Sequence, residues 1–105
     1  MCSYFETHYL VDVLPSDEFD ARGYPCALNY PLESISVQVD QLLADVGGST
    51  DAPIAFYSTD GTRSEVAKFI LQMSGFTNMK NIGGYQQMWD QGCRCPSKIC
   101  LTKRF

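Results

Sequence analysis

The chain is predicted to be an α/β domain in three layers, a small parallel sheet flanked by helices. Three observations predict this. Short, β-branched apolar runs alternate with segments of helical spacing from Tyr9 to Trp89. The connections between them are short, which favours strand–helix–strand units and a sheet covered on both faces. One run, Pro53-Ile54-Ala55-Phe56-Tyr57, is apolar throughout, as a strand buried on both faces must be.

Tyr9-Leu10-Val11-Asp12-Val13 reads as the first buried strand, stopped by Pro15. Ser16 is placed to cap a short helix whose first turn carries Asp17 and Glu18, acids that suit the positive end of the helix dipole. Gly23 and Pro25 close that helix, and Ala27-Leu28-Asn29-Tyr30 is a second short strand ending at Pro31. Val37, Val39, Leu42, Leu43 and Val46 are spaced for a helix that stops at Gly47-Gly48. The strand Pro53–Tyr57 runs into the polar turn Ser58-Thr59-Asp60-Gly61-Thr62-Arg63, and that turn into a helix over Ser64–Met73 closed by Gly75. A small strand near Met79–Asn81 follows, and Gly83-Gly84 opens a last helix carrying Tyr85, Met88 and Trp89, whose side chains read as core packing.

At 105 residues, without a repeat or an internal linker, the chain is one domain over 1–105. Its 8 Lys+Arg against 12 Asp+Glu, the basic residues scattered, exclude a general nucleic-acid binder. No apolar run approaches a membrane span, and Met1–Glu6 lacks the basic and apolar regions of a secretory signal, so the expected location is a reducing cytoplasm. Cys2, Cys26, Cys93, Cys95 and Cys100 are odd in number and irregularly spaced, which in that compartment reads as free thiols. Cys93-x-Cys95-x4-Cys100 supplies three soft ligands with the one histidine, His8, far off, so no metal site is expected.

Ligands of parallel α/β sheets bind beyond the carboxyl ends of the strands, where Ser58–Arg63 lies. Successive N–H groups there, with the positive end of the next helix, can form an anion cradle. Gly61 permits a tight curve, and the Arg63 guanidinium suits an oxyanion. The competing reading is an ordinary exposed connection, polar because it meets water.

The chain resembles the single-domain rhodaneses. Val11-Asp12-Val13 with Asp17-Glu18-Phe19 is similar to that family's Asp-Val-Arg and Glu-Glu-Phe/Tyr stretch, and Pro25-Cys26-Ala27-Leu28-Asn29-Tyr30-Pro31 to its Pro-Gly-Ala-Ile-Asn-Ile-Pro turn. Gly75-Phe76-Thr77-Asn78, and Asn81-Ile82-Gly83-Gly84-Tyr85 through Trp89 and Gly92, resemble its second half. The resemblance runs from about residue 9 to 96, leaving 97–105 as a tail. It implies that Ser58 stands at the position of the nucleophilic cysteine of the loop Cys-x-x-Gly-x-Arg. Thr59, Asp60, Gly61, Thr62 and Arg63 then form the substrate-binding loop. The six-residue loop implies sulfur transfer rather than the phosphate chemistry of relatives with one residue more.

The implied substrate is a small sulfur-donor anion such as thiosulfate, with a thiol or protein as sulfur acceptor. No cofactor is implied, because the persulfide is itself the carried group. Ser58 departs from this pattern: a serine hydroxyl has no anion near neutral pH and forms no persulfide. Two readings follow. One is a sulfurtransferase scaffold impaired at Ser58, by an engineered change or a natural one; the other is a non-catalytic module that binds an anion or partner protein through residues 58–63. Leu14 where the family has Arg, Gly23 where His is common, and the acidic Asp60 lean toward the second. The thiols of Cys93, Cys95 and Cys100 raise a further idea, that a tail thiol acts as sulfur carrier or redox partner in place of Ser58.

Overall fold

The computed structural model describes residues 7–24 and 26–95. Pro25, Cys2, Cys100 and the tail lie outside the described residues, so the readings attached to them are not addressed by the structure. In chain order the elements are β1 (Tyr9–Asp12), α1 (Ser16–Arg22), β2 (Leu28–Asn29), a 3-10 turn (Ile35–Val37) and α2 (Val39–Asp45). Then come β3 (Ile54–Ser58), α3 (Thr62–Met73), β4 (Met79–Gly84) and α4 (Tyr85–Asp90). The strands form one four-stranded parallel sheet in the order β2-β1-β3-β4.

This order explains the layers. The chain steps one way from β1 to β2, then reverses across β1 to β3 and β4. Parallel crossovers are right-handed, so the reversal puts α1 on one face and α2 and α3 on the other. Side chains follow that division. Val11, Ile54 and Phe56 pack with Leu42, Ala67 and Leu71, whereas Leu10, Ala55 and Tyr57 pack with Tyr24, Met88 and Cys93. Alternation with period two sends neighbours along β3 into opposite layers, which is why the whole strand had to be apolar.

Four boundaries differ from expectation. Ser16 is not the cap of α1: Pro15 precedes the helix in an extended conformation, its carbonyl accepts the Phe19 N–H at 2.9 Å, and Ser16 is the first helical residue. The Val37–Val46 helix splits into the 3-10 turn and α2 at Gln38, leaving Val37 84% exposed. Helix α3 starts earlier than expected, so Thr62 and Arg63 belong to its first turn. Strand β4 continues through Gly83 and Gly84 past a register shift opposite Phe56 and Tyr57, and α4 begins only at Tyr85. Of the apolar positions in α3, Ala67 and Leu71 are buried while Val66, Phe69 and Met73 face solvent. On α4, Met88 is buried as expected but Trp89 is exposed.

The cysteines correct the sequence reading. Cys26 and Cys95 form a disulfide, and Cys93 is disulfide-bonded as well, so none of the three is the free thiol expected. The approach of two chain ends decides this, not local sequence. The stretch after α1 and the stretch after α4 meet on one face of the sheet, with Cys26 and Cys95 Cα atoms 5.9 Å apart across 69 residues of sequence. A bridge closing so long a loop removes much of the freedom of the unfolded chain. Replacing Cys95 by Ser is expected to lower unfolding stability by about 2–4 kcal/mol in a denaturant titration of the oxidised proteins.

Candidate functional site

Reversal of strand order leaves a crevice beyond the carboxyl ends of β1 and β3, and Ser58 ends β3 there with its side chain fully buried. Its Oγ accepts the backbone N–H of Gly61 at 3.0 Å and of Ser64 at 3.3 Å, so the loop closes around this one atom. Ser64 Oγ lies 3.3 Å away. The proton of Ser64 has two pure acceptors, the Gly61 carbonyl at 2.9 Å and Asn81 Oδ1 at 2.6 Å. Ser64 therefore turns a lone pair toward Ser58, and the donation runs from Ser58 to Ser64 to Asn81. Asn81 also accepts the Gly83 N–H, and it donates to the Gly61 carbonyl and to Glu65. Ser64, fully buried, and Asn81 were absent from the sequence-derived site. The available signal was an amide in a short strand just before the Gly-Gly pair.

Two glycine contacts shape the loop. Gly61 sits at φ +94°, the left-handed region that other residues avoid, and turns the chain into α3. Gly84 is pressed against the loop backbone, where a Cβ would come 2.5 Å from the Thr59 carbonyl oxygen and 3.1 Å from the Asp60 Cα. Gly84 thus serves as a floor for the loop and also caps α4, as expected, its N–H donating to Gln87 Oε1 at 2.8 Å.

Arg63 faces the neighbouring strand. Its Nε and Nη2 donate to the Val13 carbonyl at 3.2 and 3.1 Å, and Nη2 pairs with Glu33 at 2.7 Å. The same carbonyl accepts the Leu32 N–H at 3.2 Å, so Val13 ties β1, the segment after β2 and α3 together. Hydrogen bonding from Arg63 holds the Glu33 carboxyl below its usual range and raises the guanidinium in return. Glu33 is exposed, yet it is the partner of the site's arginine.

Asp60 does not place its charge inside the loop. Its carboxylate is exposed and accepts the hydroxyl and the N–H of its neighbour Thr62, which lower its pKa. The N–H groups of Thr59, Asp60 and Arg63 are hydrogen-bonded to no other described residue and remain for a ligand. Asp12, at the end of β1, is fully buried: Oδ1 accepts the Leu14 N–H at 2.7 Å, while Oδ2 has no hydrogen bond of normal geometry and the Tyr57 hydroxyl is its polar neighbour. Burial raises the Asp12 carboxyl. Among the described residues no group of side chains is arranged to hold a metal ion, and no helix is long and apolar enough to cross a membrane.

The rhodanese-like domain family matches residues 4–91 of the chain. No curated protein matches it in sequence. Among solved structures it is similar to a rhodanese with anions from E. coli, at 23% identity and a TM-score of 0.61, covering 75% of this chain and 88% of that one. A single-domain sulfurtransferase from Saccharomyces cerevisiae matches at 19% identity and TM-score 0.63, over 83% of this chain and 76% of that one. A Rhodopseudomonas palustris protein described as a possible tyrosine phosphatase matches at 20% and 0.68, over 87% and 72%. At these identities the likenesses show the fold alone.

Two expectations follow from the geometry. Asn81→Ala removes the support of Gly61, Gly83 and Ser64 together. It is expected to cost about 1–3 kcal/mol in stability and to speed amide exchange over residues 58–64 in hydrogen-exchange mass spectrometry. For Asp12, the folded carboxyl titrates above its unfolded value. The native chain binds the extra proton between the two, and stability falls as pH rises through that window. Asp12→Asn, which keeps the acceptor for Leu14, should abolish this fall when unfolding free energy is measured from acid to neutral pH.

Proposed function

The chain belongs to the rhodanese-like domain family, related to the sulfurtransferases, and from that premise we propose that residues 58–63 are the donor-binding cradle of a sulfurtransferase scaffold, silent in sulfur transfer while Ser58 fills the nucleophile's place. One observation carries the reading. The atom at the centre of the loop is the side-chain atom of residue 58, met by the N–H groups of Gly61 and Ser64 at the start of α3. A sulfur there would receive the same two donors and the positive end of the helix, the setting that lowers a thiol's pKa and yields a thiolate.

In this reading Thr59, Asp60 and Arg63 present N–H groups to a small oxyanion of the thiosulfate kind. Gly61 gives the curve, and Thr62 holds the Asp60 carboxylate aside. The part first expected of Arg63, direct contact with the anion, passes to the backbone, because Arg63 is engaged by Val13 and Glu33. Sulfane sulfur would go from the donor to a thiolate at position 58 and then to a thiol or protein acceptor, with no cofactor.

The second reading, a binding module without catalysis, is favoured by one feature. The Ser58 hydroxyl is saturated by the chain itself, with two donors received and one proton given to Ser64. For location, the cytoplasmic address drawn from the first residues must accommodate the Cys26–Cys95 bridge, since cytosolic disulfides are mostly transient or redox-responsive.

The test compares the chain with its Ser58→Cys variant, each incubated with thiosulfate and then cyanide. The variant is expected to release thiocyanate and to gain one sulfur atom at residue 58 by peptide mapping, while the parent does neither. A silent variant that still binds thiosulfate in calorimetry would favour the binding module.

A further inference from the structure

The Cys26–Cys95 bridge lies in the same layer as the residues that back the loop. The segment it fastens is connected inward by a short chain of contacts. The Cys93 carbonyl accepts the Tyr24 hydroxyl at 2.8 Å, and the Tyr24 N–H donates to the Tyr57 hydroxyl at 2.8 Å. Tyr57 directly precedes Ser58. The Tyr24 ring meets Tyr57 edge-on at 5.6 Å and lies 5.2 Å from Tyr85, which directly follows the Gly84 pressed against Thr59. Arg94 closes the outside, stacked 3.1 Å over Trp89 and donating to the Trp89 and Cys93 carbonyls. Cys26 stands where the resemblance places a glycine, so the bridge is a property of this chain.

We propose that the Cys26–Cys95 disulfide is a redox latch on the 58–63 loop: closed, it holds residues 93–95 against Tyr24 and keeps the loop's backing packed; opened by a dithiol, it releases that segment and loosens the loop. The step balances with the dithiol alone. One thiolate of the reagent attacks a bridge sulfur, the Cys26–Cys95 bond breaks and a mixed disulfide forms. The reagent's second thiol then displaces the protein thiol. Two electrons pass from reagent to bridge, leaving two cysteine thiols and the reagent as its disulfide. Cys95 is half-buried and Cys26 only 4% exposed, so the attack falls on Cys95. The latch rests on the proposed cradle only for its consequence in binding.

The test follows amide exchange over residues 58–64 in the full chain, oxidised and after dithiothreitol, beside the Cys26→Ala/Cys95→Ala variant, with thiosulfate affinity measured for each. The bond at Cys93 responds to the reagent in both proteins, so a difference between the two oxidised forms belongs to the Cys26–Cys95 bridge. Exchange is expected to rise about threefold or more on reduction of the parent and to be already raised in the oxidised variant. Cys95→Ser repeats the comparison should the double variant not fold. Equal loop exchange in oxidised parent and oxidised variant overturns the latch, whatever thiosulfate does. Changed exchange with no thiosulfate binding in any form supports the latch and overturns the cradle.

Discussion

The site depends on one close approach of backbone to backbone. The loop after β3 lies against the end of β4 with no side chain between, and any Cβ at Gly84 would enter the Thr59 carbonyl. Because the loop is held this close, Gly61 takes its left-handed turn, α3 starts at Thr62, and the N–H groups of Gly61 and Ser64 are brought onto the Ser58 Oγ. The register shift between β3 and β4 belongs to the same adjustment, since it lets both glycines run alongside Tyr57 and Ser58.

Around that contact, polar groups are satisfied in a definite order. The Val13 carbonyl takes three donors from two segments, joining both sides of the crevice where strand order reverses. Asn81 has its amide engaged on both atoms, and through Ser64 it decides which way the proton at position 58 points. No histidine takes part. A buried polar cluster of this kind rigidifies when each member has a partner. Among the described residues, Asp12 Oδ2 is a buried side-chain oxygen left without a hydrogen bond, and burial raises its carboxyl.

The fold was legible because its signals are local. The all-apolar β3, the proline stops and the glycine pairs each state a backbone requirement that a short window of sequence contains. The loop was legible for the same reason, with Ser58, Gly61 and Arg63 in a row. What was hidden needed distance. That Arg63 turns to Val13 and Glu33, fifty and thirty residues away, follows from which strands are neighbours. That Asn81 braces Gly61 follows from the register of β4 on β3. The disulfide was misread because cysteine count and compartment were weighed without knowing that the two stretches meet.

The bridge also changes what kind of object the chain is. With Cys26 joined to Cys95 across 69 residues of sequence, β2, β3, β4 and the loop lie on a closed covalent ring, and only β1 and α1 among the elements lie outside it. A protease that nicks the backbone once anywhere within the ring yields no separate fragments, since the two halves stay joined through sulfur. In the oxidised form such a break would pass unseen by mass under native or denaturing conditions, apart from one added water.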